Sequence, residues 1–342
     1  MALVAGVTAL AAAIGLSILL LGLQRVFASA PTLWDSNDRD ITDTSLSVVI
    51  PAFDEEQNIE GCLTHVLMSE RPCSRWDVIV VDDQSSDNTV KIAEQAIVAV
   101  AGADQPDATV LQAGPRPKGE RWVGKNWGCC QAMEQVNSEW VLFIDADVTL
   151  APDAIRRALH QSINENADLF SLAPRLTCGC LAEWMVQPIM ASLLGLGFPI
   201  LEANDPASTV AFAAGPFMLF RRDSYNAIGG HRALAGEVVE DLALARRIKE
   251  GGFRLRYVLG IDAVDLQMYA NLQALWEGWS KNWFLGLDRS ISKSLGAGGV
   301  VLLMFTLPWL LLPASLTMAC LSSQDQIFWL SDAGLGLIAI LM

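Results

Sequence analysis

Hydrophobic and polar positions follow three regimes along the chain. From Met1 to Leu23 no charged residue occurs, and a run of that length can cross a hydrocarbon core of ~30 Å as a helix. The runs from Leu295 to Leu321 and from Ile327 to Met342 are also largely apolar, the last one shorter and interrupted by Asp332. Between these ends, β-branched runs at 46–51, 77–82, 108–112 and 140–145 stop at turn residues, as strands buried in a parallel sheet do. Helical spacing separates them. Ala93, Ala96, Ile97 and Val100 follow Asp87, the expected N-cap, Ala132, Met133 and Val136 repeat the pattern, and Pro152-Asp153 opens another helix. Alternating strands and helices predict an α/β fold with a mostly parallel, doubly wound sheet.

These patterns divide the chain into an anchor over 1–27, a Ser/Asp/Asn-rich linker over 28–45, an α/β domain over 46–262, an amphipathic juxtamembrane segment over 263–294 and apolar helices over 295–342. Leu181 to Leu201 is apolar but interrupted by Glu183, Pro188 and Pro199, so it reads either as an interfacial helix or as a buried core helix. The first span lacks the basic start and short apolar core of a secretory signal and is expected to stay attached. Arg25 follows that span, and Lys281, Arg289 and Lys293 precede the next. Basic flanks mark the cytoplasmic side, so the expectation is a multi-pass protein of the cell (inner) membrane with its polar domain in the cytoplasm.

Composition narrows the partners. A net charge of −15 excludes nucleic acid, whose phosphates demand a basic face, and leaves apolar insertion as the route to the membrane. The seven cysteines, six of them in the expected cytoplasmic domain, require no disulfides, and the CGC at 178–180 is too short for a metal site.

Chemistry enters where the predicted strands stop. VVIPAFDEEQNI (48–59), VIVVDDQSSDNT (78–89) and LFIDADV (142–148) each end in acids, and VVEDLALARRIKEGG (238–252) opens a helix with two more. Open α/β sheets bind ligands at the carboxyl ends of their strands. Carboxylates collected there need a cation or a proton-transfer task. In extended geometry Asp145 and Asp147 point to one side and Ala146 away, which suits Mg2+ or Mn2+ completed by phosphate oxygens and water. PRPKGERWVGKNWG (115–128) supplies Lys118 and Lys125 for a diphosphate. Glu240 and Asp241 fall in the first turn of their helix, which the helix dipole favours without any catalysis, but the flexible GGHRALAGE before them allows a carboxylate to reach the site as general base.

In their order, PAFDEE, VVDDQSSD, PKG with GKNW, DAD, GPFMLFRR with IGGH, and ED before GGFRLRY resemble the family 2 glycosyltransferases over residues 46–260. NDPAS before AFAAGPFMLFRR is similar to their membrane-bound, hopanoid-associated and carotenoid members. The resemblance implies a GT-A fold, Rossmann-like, and inverting, metal-dependent transfer of one sugar from a nucleotide-sugar, UDP-sugar ahead of GDP-sugar, to a lipid or isoprenoid hydroxyl. Carried over by position, Pro51, Phe53, Glu55 and Asp83 contact the nucleotide, with Asp82 beside them, and Asp145 meets the ribose or diphosphate. Asp147, with Asp145, holds the metal. Asp241 is the base and Glu240 supports it. Where processive members carry a Gln/Arg-x-x-Arg-Trp motif this chain has WEGWSKNW (276–283), which points to single-sugar transfer. Three other readings stay open: transfer to a polyprenyl phosphate gripped by Arg221 or Arg222, a nucleotidyltransferase without need of Asp241, and an inactive membrane scaffold.

Overall fold

The computed structural model describes residues 2–35, 42–102, 105–287, 289–321 and 325–341. Two compact units emerge, one of Ala30–Glu183 with Phe198–Leu272 and one of Met1–Ser29, Trp184–Gly197 and Gln273–Met342. Along the chain the first elements are α1 (Ala2–Ser29), β1 (Thr42–Ala52), α2 (Ile59–Leu67), β2 (Cys73–Asp82), α3 (Thr89–Val100), β3 (Asp107–Gln112), α4 (Gly124–Met133), β4 (Trp140–Ile144), β5 (Val148–Leu150) and α5 (Ala154–Asn164). There follow β6 (Leu169–Ala173), β7 (Arg175–Leu176), α6 (Leu181–Gly197), α7 (Ile200–Asn204), β8 (Phe217–Arg221), α8 (Arg222–Ala227), α9 (Glu240–Glu250), β9 (Leu255–Leu259), β10 (Val264–Leu266) and α10 (Leu272–Gly286).

The first unit is built on a seven-stranded sheet ordered β3-β2-β1-β4-β8-β6-β9. The four predicted strands are its parallel half, pairing β3 with β2, β2 with β1 and β1 with β4. β8 runs antiparallel between β4 and β6, and β9 lies parallel to β6. Alternate residues of each strand enter different cores. Val48, Ile50, Leu142, Ile144, Phe170 and Phe217 pack on one face with α2 and α5, while Val49, Val81, Val141, Phe143, Met218 and Phe220 pack on the other with α4 and α9. Each such side chain, fully buried, contributes roughly 1.5–3 kcal/mol. β5, β10 and β7 form a small second sheet.

Several expected boundaries move. β1 begins at Thr42, inside the expected linker, whose residues 36–41 lie outside those described. β10 and the turn after it belong with the sheet unit, which runs to Leu272, so the juxtamembrane segment is helical only from there. Hydropathy alone missed this because β10 is three residues long, too short to show a period. The chain between Asp145 and Asp147 is a turn: β4 stops at Ile144, and Val148 N–H donates back to the Asp145 carbonyl at 3.3 Å. The shared side of the two carboxylates therefore comes from the turn and not from strand alternation.

In the second unit, Ala12, Ala13, Leu16 and Leu19 of α1 pack with Ala339, and Met304 and Phe305 join them. Two helices, Leu3–Ser29 and Ile291–Leu321, are long and apolar enough to cross a membrane by length and composition, and Gln326–Leu341 is a shorter apolar helix. The second helix widens into a π turn at Leu302–Thr306, two residues before Pro308, which has no N–H to continue the ladder. α6 keeps Pro188 inside a helix and exposes Leu181, Trp184, Met185 and Leu196. It is therefore no buried core helix.

Candidate active site

The loops after β1 and β2 are laced together. Asp54 N–H donates to Ser85 Oγ at 2.9 Å, Glu55 N–H to Thr89 Oγ1 at 2.7 Å, and Glu56 N–H to Asp87 Oδ2 at 3.1 Å. In return Asp54 Oδ1 accepts Ser86 N–H at 2.7 Å, and Glu56 Oε2 accepts Asn88 Nδ2–H at 3.0 Å. Asp54 takes a left-handed φ of 54° to do this, a conformation short polar side chains tolerate. The buried Asp82 carboxylate accepts the N–H groups of Gln84 and Ser85 at 3.1 and 3.2 Å. Four of the six acids of the two motifs, Asp54, Glu56, Asp82 and Asp87, thus close these turns. Asp82 is one of these and is not part of the cleft lining predicted to use it.

The remaining acids converge. A cleft of about 250 Å³ at the carboxyl ends of β1, β2 and β4 is lined by Pro51, Phe53, Glu55, Asp83, Lys125, Asp145 and Asp147, among others. Phe53 is 56% exposed and stands at the lip as an open aromatic surface. Lys118 is exposed and is not part of this lining. Every other expected donor-binding or metal-binding residue, Asp82 aside, meets in the one depression.

Lys125 is the centre of its charge. From the first turn of α4, its Nζ sits 2.6 Å from Asp145 Oδ1 and 2.6 Å from Glu240 Oε1. The N-terminus of α4 is fixed beneath it: Val123 N–H donates to the Ala235 carbonyl at 2.7 Å, and buried Asn126 Nδ2 donates to the carbonyls of Leu234 and Glu237 at 2.7 and 2.8 Å. Trp127 Nε1 donates to the Ala113 and Gly114 carbonyls, both at 3.0 Å. GKNW is thus a scaffold for the lysine. Glu240 reaches Lys125 from the start of α9, a contact the sequence did not disclose.

Arg116 pairs with buried Asp83, an ion pair also missed. Gly124 packs against that carboxylate so closely that a Cβ there would collide with Asp83 Oδ2 and lie 2.8 Å from Arg116 Nη2. The signal was present: PRPKG carries Arg116 beside the two lysines considered.

Asp241 follows Glu240 in α9. Its Oδ1 accepts Leu242 N–H at 2.7 Å and its Oδ2 accepts Gly215 N–H at 3.2 Å. Burial, then repulsion from Glu240, pushes its pKa up to about 7 against the opposing pull of Lys125. Burial pushes Asp147 up to about 7 as well, with repulsion from Asp145 and Glu55 adding to it. Glu55 is also raised, first by burial, although Asn58 donates to it.

Asp83 Oδ1 and Asp147 Oδ1 are buried and have no hydrogen-bond partner among the described residues. Hard, anionic oxygens without donors fit a divalent cation. No cluster of three or more His, Cys, Asp or Glu forms a complete ligand set among the described residues, so such a cation would need oxygens from a ligand.

Arg221 and Arg222 lie elsewhere. β8 runs antiparallel, and Arg221 pairs with Trp140 at the start of β4, the end of the sheet opposite Asp145. Arg222 N–H donates to the Glu139 carbonyl at 2.9 Å beside it. Neither can grip a phosphate in the cleft, and the polyprenyl-phosphate reading loses the contact it required.

The family model described as Glycosyl transferase family 2 matches residues 47–229, more than half of the chain. The 4,4'-diaponeurosporenoate glycosyltransferase of Staphylococcus aureus (strain bovine RF122 / ET3-1) is 28% identical over 264 residues, covering 76% of this chain and 66% of that protein. Its counterpart in strain USA300 gives the same figures. The chain thus spans just under two thirds of the length of these curated relatives. Among solved structures, the mannosyltransferase PcManGT from Pyrobaculum calidifontis, in complex with GDP-Man and Mn2+, superposes over 98% of both chains with a TM-score of 0.57 at 17% identity. That likeness shows the fold.

Proposed function

We propose, from the premise that the chain belongs to glycosyl transferase family 2, that it transfers one sugar from a nucleotide-sugar to a hydroxyl of a lipophilic, isoprenoid acceptor with inversion at the anomeric carbon. The observation that carries this reading is the Lys125 bridge. A single ammonium, 2.6 Å from both Asp145 and Glu240, joins the donor-type cleft to the helix that bears Asp241.

In this reading Pro51, Phe53, Glu55 and Asp83 receive the nucleotide, with Arg116 fixing the Asp83 carboxylate. Asp147 and Asp145 hold Mg2+ or Mn2+, which the partnerless oxygen of Asp147 fits. When bound, such an ion neutralises charge on the departing diphosphate. Lys125 lies where it can do part of the same work through its own positive charge. Asp241 accepts the acceptor's hydroxyl proton as the oxygen attacks the anomeric carbon. The bond from that carbon to the diphosphate breaks, and the electron pair leaves with the nucleoside diphosphate. One displacement needs one base.

The acceptor class rests on two supports: the named activity of the Staphylococcus aureus relatives and the apolar helices of the second unit. The donor is a UDP-sugar ahead of a GDP-sugar, and the active unit faces the cytoplasm from a multi-pass anchor in the cell membrane. Lipid extracts from cells producing the full chain or its Asp241→Asn variant, compared by mass spectrometry, test the reading. A glycolipid present only with the unchanged chain names sugar and acceptor together. Normal product from the Asn variant removes the assigned base, and release of pyrophosphate instead of nucleoside diphosphate moves the chain to nucleotidyl transfer.

A further inference from the structure

Ser171 is the polar exception in the middle of β6, whose sequence is otherwise LFLA, and it is fully buried. A serine placed there forgoes the apolar contact that valine or alanine would make, so its hydroxyl must have a partner. That partner is the backbone of one residue. Ser171 Oγ accepts Ala214 N–H at 2.8 Å and donates to the Ala214 carbonyl at 3.1 Å. The next residue in the chain is Gly215, whose N–H donates to Asp241 Oδ2.

Gly215 is close to the carboxylate by necessity. A Cβ on it would lie 3.2 Å from Asp241 Oδ2, tighter than side chains normally approach. The aspartate is therefore held from two directions, by Leu242 N–H of its own helix turn and by Gly215 N–H of the turn that Ser171 pins. Tyr257 stands in register with Ser171 on β9, which carries its ring to the same sheet face. Its phenol is raised by burial and then by the charge of Asp241, a second sign that Asp241 lies over this face.

We propose that Ser171 is a positioning residue for the base: through the Ala214–Gly215 peptide it fixes the rotamer of Asp241 and leaves a defined oxygen edge free for the acceptor hydroxyl. This inference rests on the sugar-transfer reading above. A serine that served only to satisfy a buried turn would add stability and nothing more. A positioning serine acts on turnover through Asp241 and only through it.

The test is a double-mutant cycle on the full chain in lipid nanodiscs with Mn2+. The probe reaction is release of nucleoside diphosphate from a panel of UDP-sugars and GDP-sugars with water as acceptor, so no lipid substrate is required. Ser171→Ala is expected to lower kcat about tenfold, the scale of a lost orienting contact, with KM for the donor within about twofold. In the Asp241→Asn background the same substitution is expected to lower kcat no further. Gly215→Ala, which leaves the Ser171 hydrogen bonds in place, covers the case in which Ser171→Ala fails to fold, and its expected pattern is the same. Equal losses in both backgrounds, or a loss confined to KM, overturn the positioning role while transfer stands. A wild-type chain that releases no nucleoside diphosphate from the panel, or an Asp241→Asn variant as active as wild type, overturns the transfer reading and this role with it.

Discussion

Lys125 and Glu240, one at the start of α4 and the other at the start of α9, meet at 2.6 Å, and the same ammonium reaches Asp145 at 2.6 Å. Two carboxylates share one cation; burial is the largest single effect and lowers the lysine's pKa, but the two carboxylates together outweigh it and hold the pKa well above its usual value. Lys125 therefore offsets part of the negative charge that Asp145 and Glu240 bring together. Lys125→Met should leave Asp145 and Glu240 repelling each other. We expect donor turnover to fall about 100-fold, the scale of a lost charge-stabilising contact. Lys125→Arg should recover only part of this, because a planar fork replaces a point charge. Steady-state kinetics of nucleoside diphosphate release check both.

Much of this arrangement was legible in the sequence. The four parallel strands and the acids ending three of them follow from β-branched runs that stop in turn residues, a local pattern. Which acids face the cleft was not legible. Asp82 and Asp83 are adjacent and chemically equal, and the strand sends one carboxylate into its own turn and the other to Arg116. Nor could spacing pair Lys125 with Glu240, since that contact depends on α4 and α9 lying on the same face of the sheet. Long-range partners are a property of topology.

Gly124→Ala tests the donor cleft. The added methyl would collide with Asp83 Oδ2, and the carboxylate with its partner Arg116 would have to move. Donor binding should weaken more than tenfold, about 1.4 kcal/mol or more, while the helix itself gains slightly from alanine. Calorimetric titration of UDP-sugars, with thermal unfolding alongside, separates the two effects.

The raised carboxylates make the metal-free protein's stability depend on pH. Asp147 and Asp241 have pKa values of about 7 in the fold, above the ~3.9 of an unfolded aspartate. Between those values the folded state holds more protons than the unfolded one, so stability falls as pH rises from 4 towards 7 and levels off above. Without divalent cations, Tm should be lower at pH 8 than at pH 5.5. Mn2+ binds the deprotonated site, so it should raise Tm more at pH 8 than at pH 5.5. A cation effect that shrinks with rising pH would remove Asp147 from the metal site.

Glu183 gives a prediction about the fold alone. Its fully buried carboxylate accepts Gly179 N–H at 2.9 Å and Tyr269 N–H at 2.8 Å, tying the chain before α6 to the chain after β10. Glu183→Ala would strand two backbone donors, at about 1–3 kcal/mol each. Glu183→Gln keeps one acceptor oxygen and should lose about half as much. Denaturant unfolding of the two variants gives the order, and equal losses would mean the charge matters more than the acceptor.

Asp82 and Asp83 make the sharpest paired test, since sequence alone assigns both to the nucleotide. Asp82 accepts the N–H groups of Gln84 and Ser85 and lines no part of the cleft, whereas Asp83 lines it. Asp82→Ala should therefore cost about 1–3 kcal/mol of stability by unpairing the turn, and KM for the donor should change little below the unfolding temperature. Asp83→Asn keeps the shape but removes the charge held by Arg116. It should raise KM for the donor at least about tenfold with a small change in Tm, because the Arg116 partner is half exposed and the ion pair adds little to folding. If both variants raised KM alike, the two carboxylates would be acting as one donor-binding unit, and the division of labour between turn and cleft would be wrong.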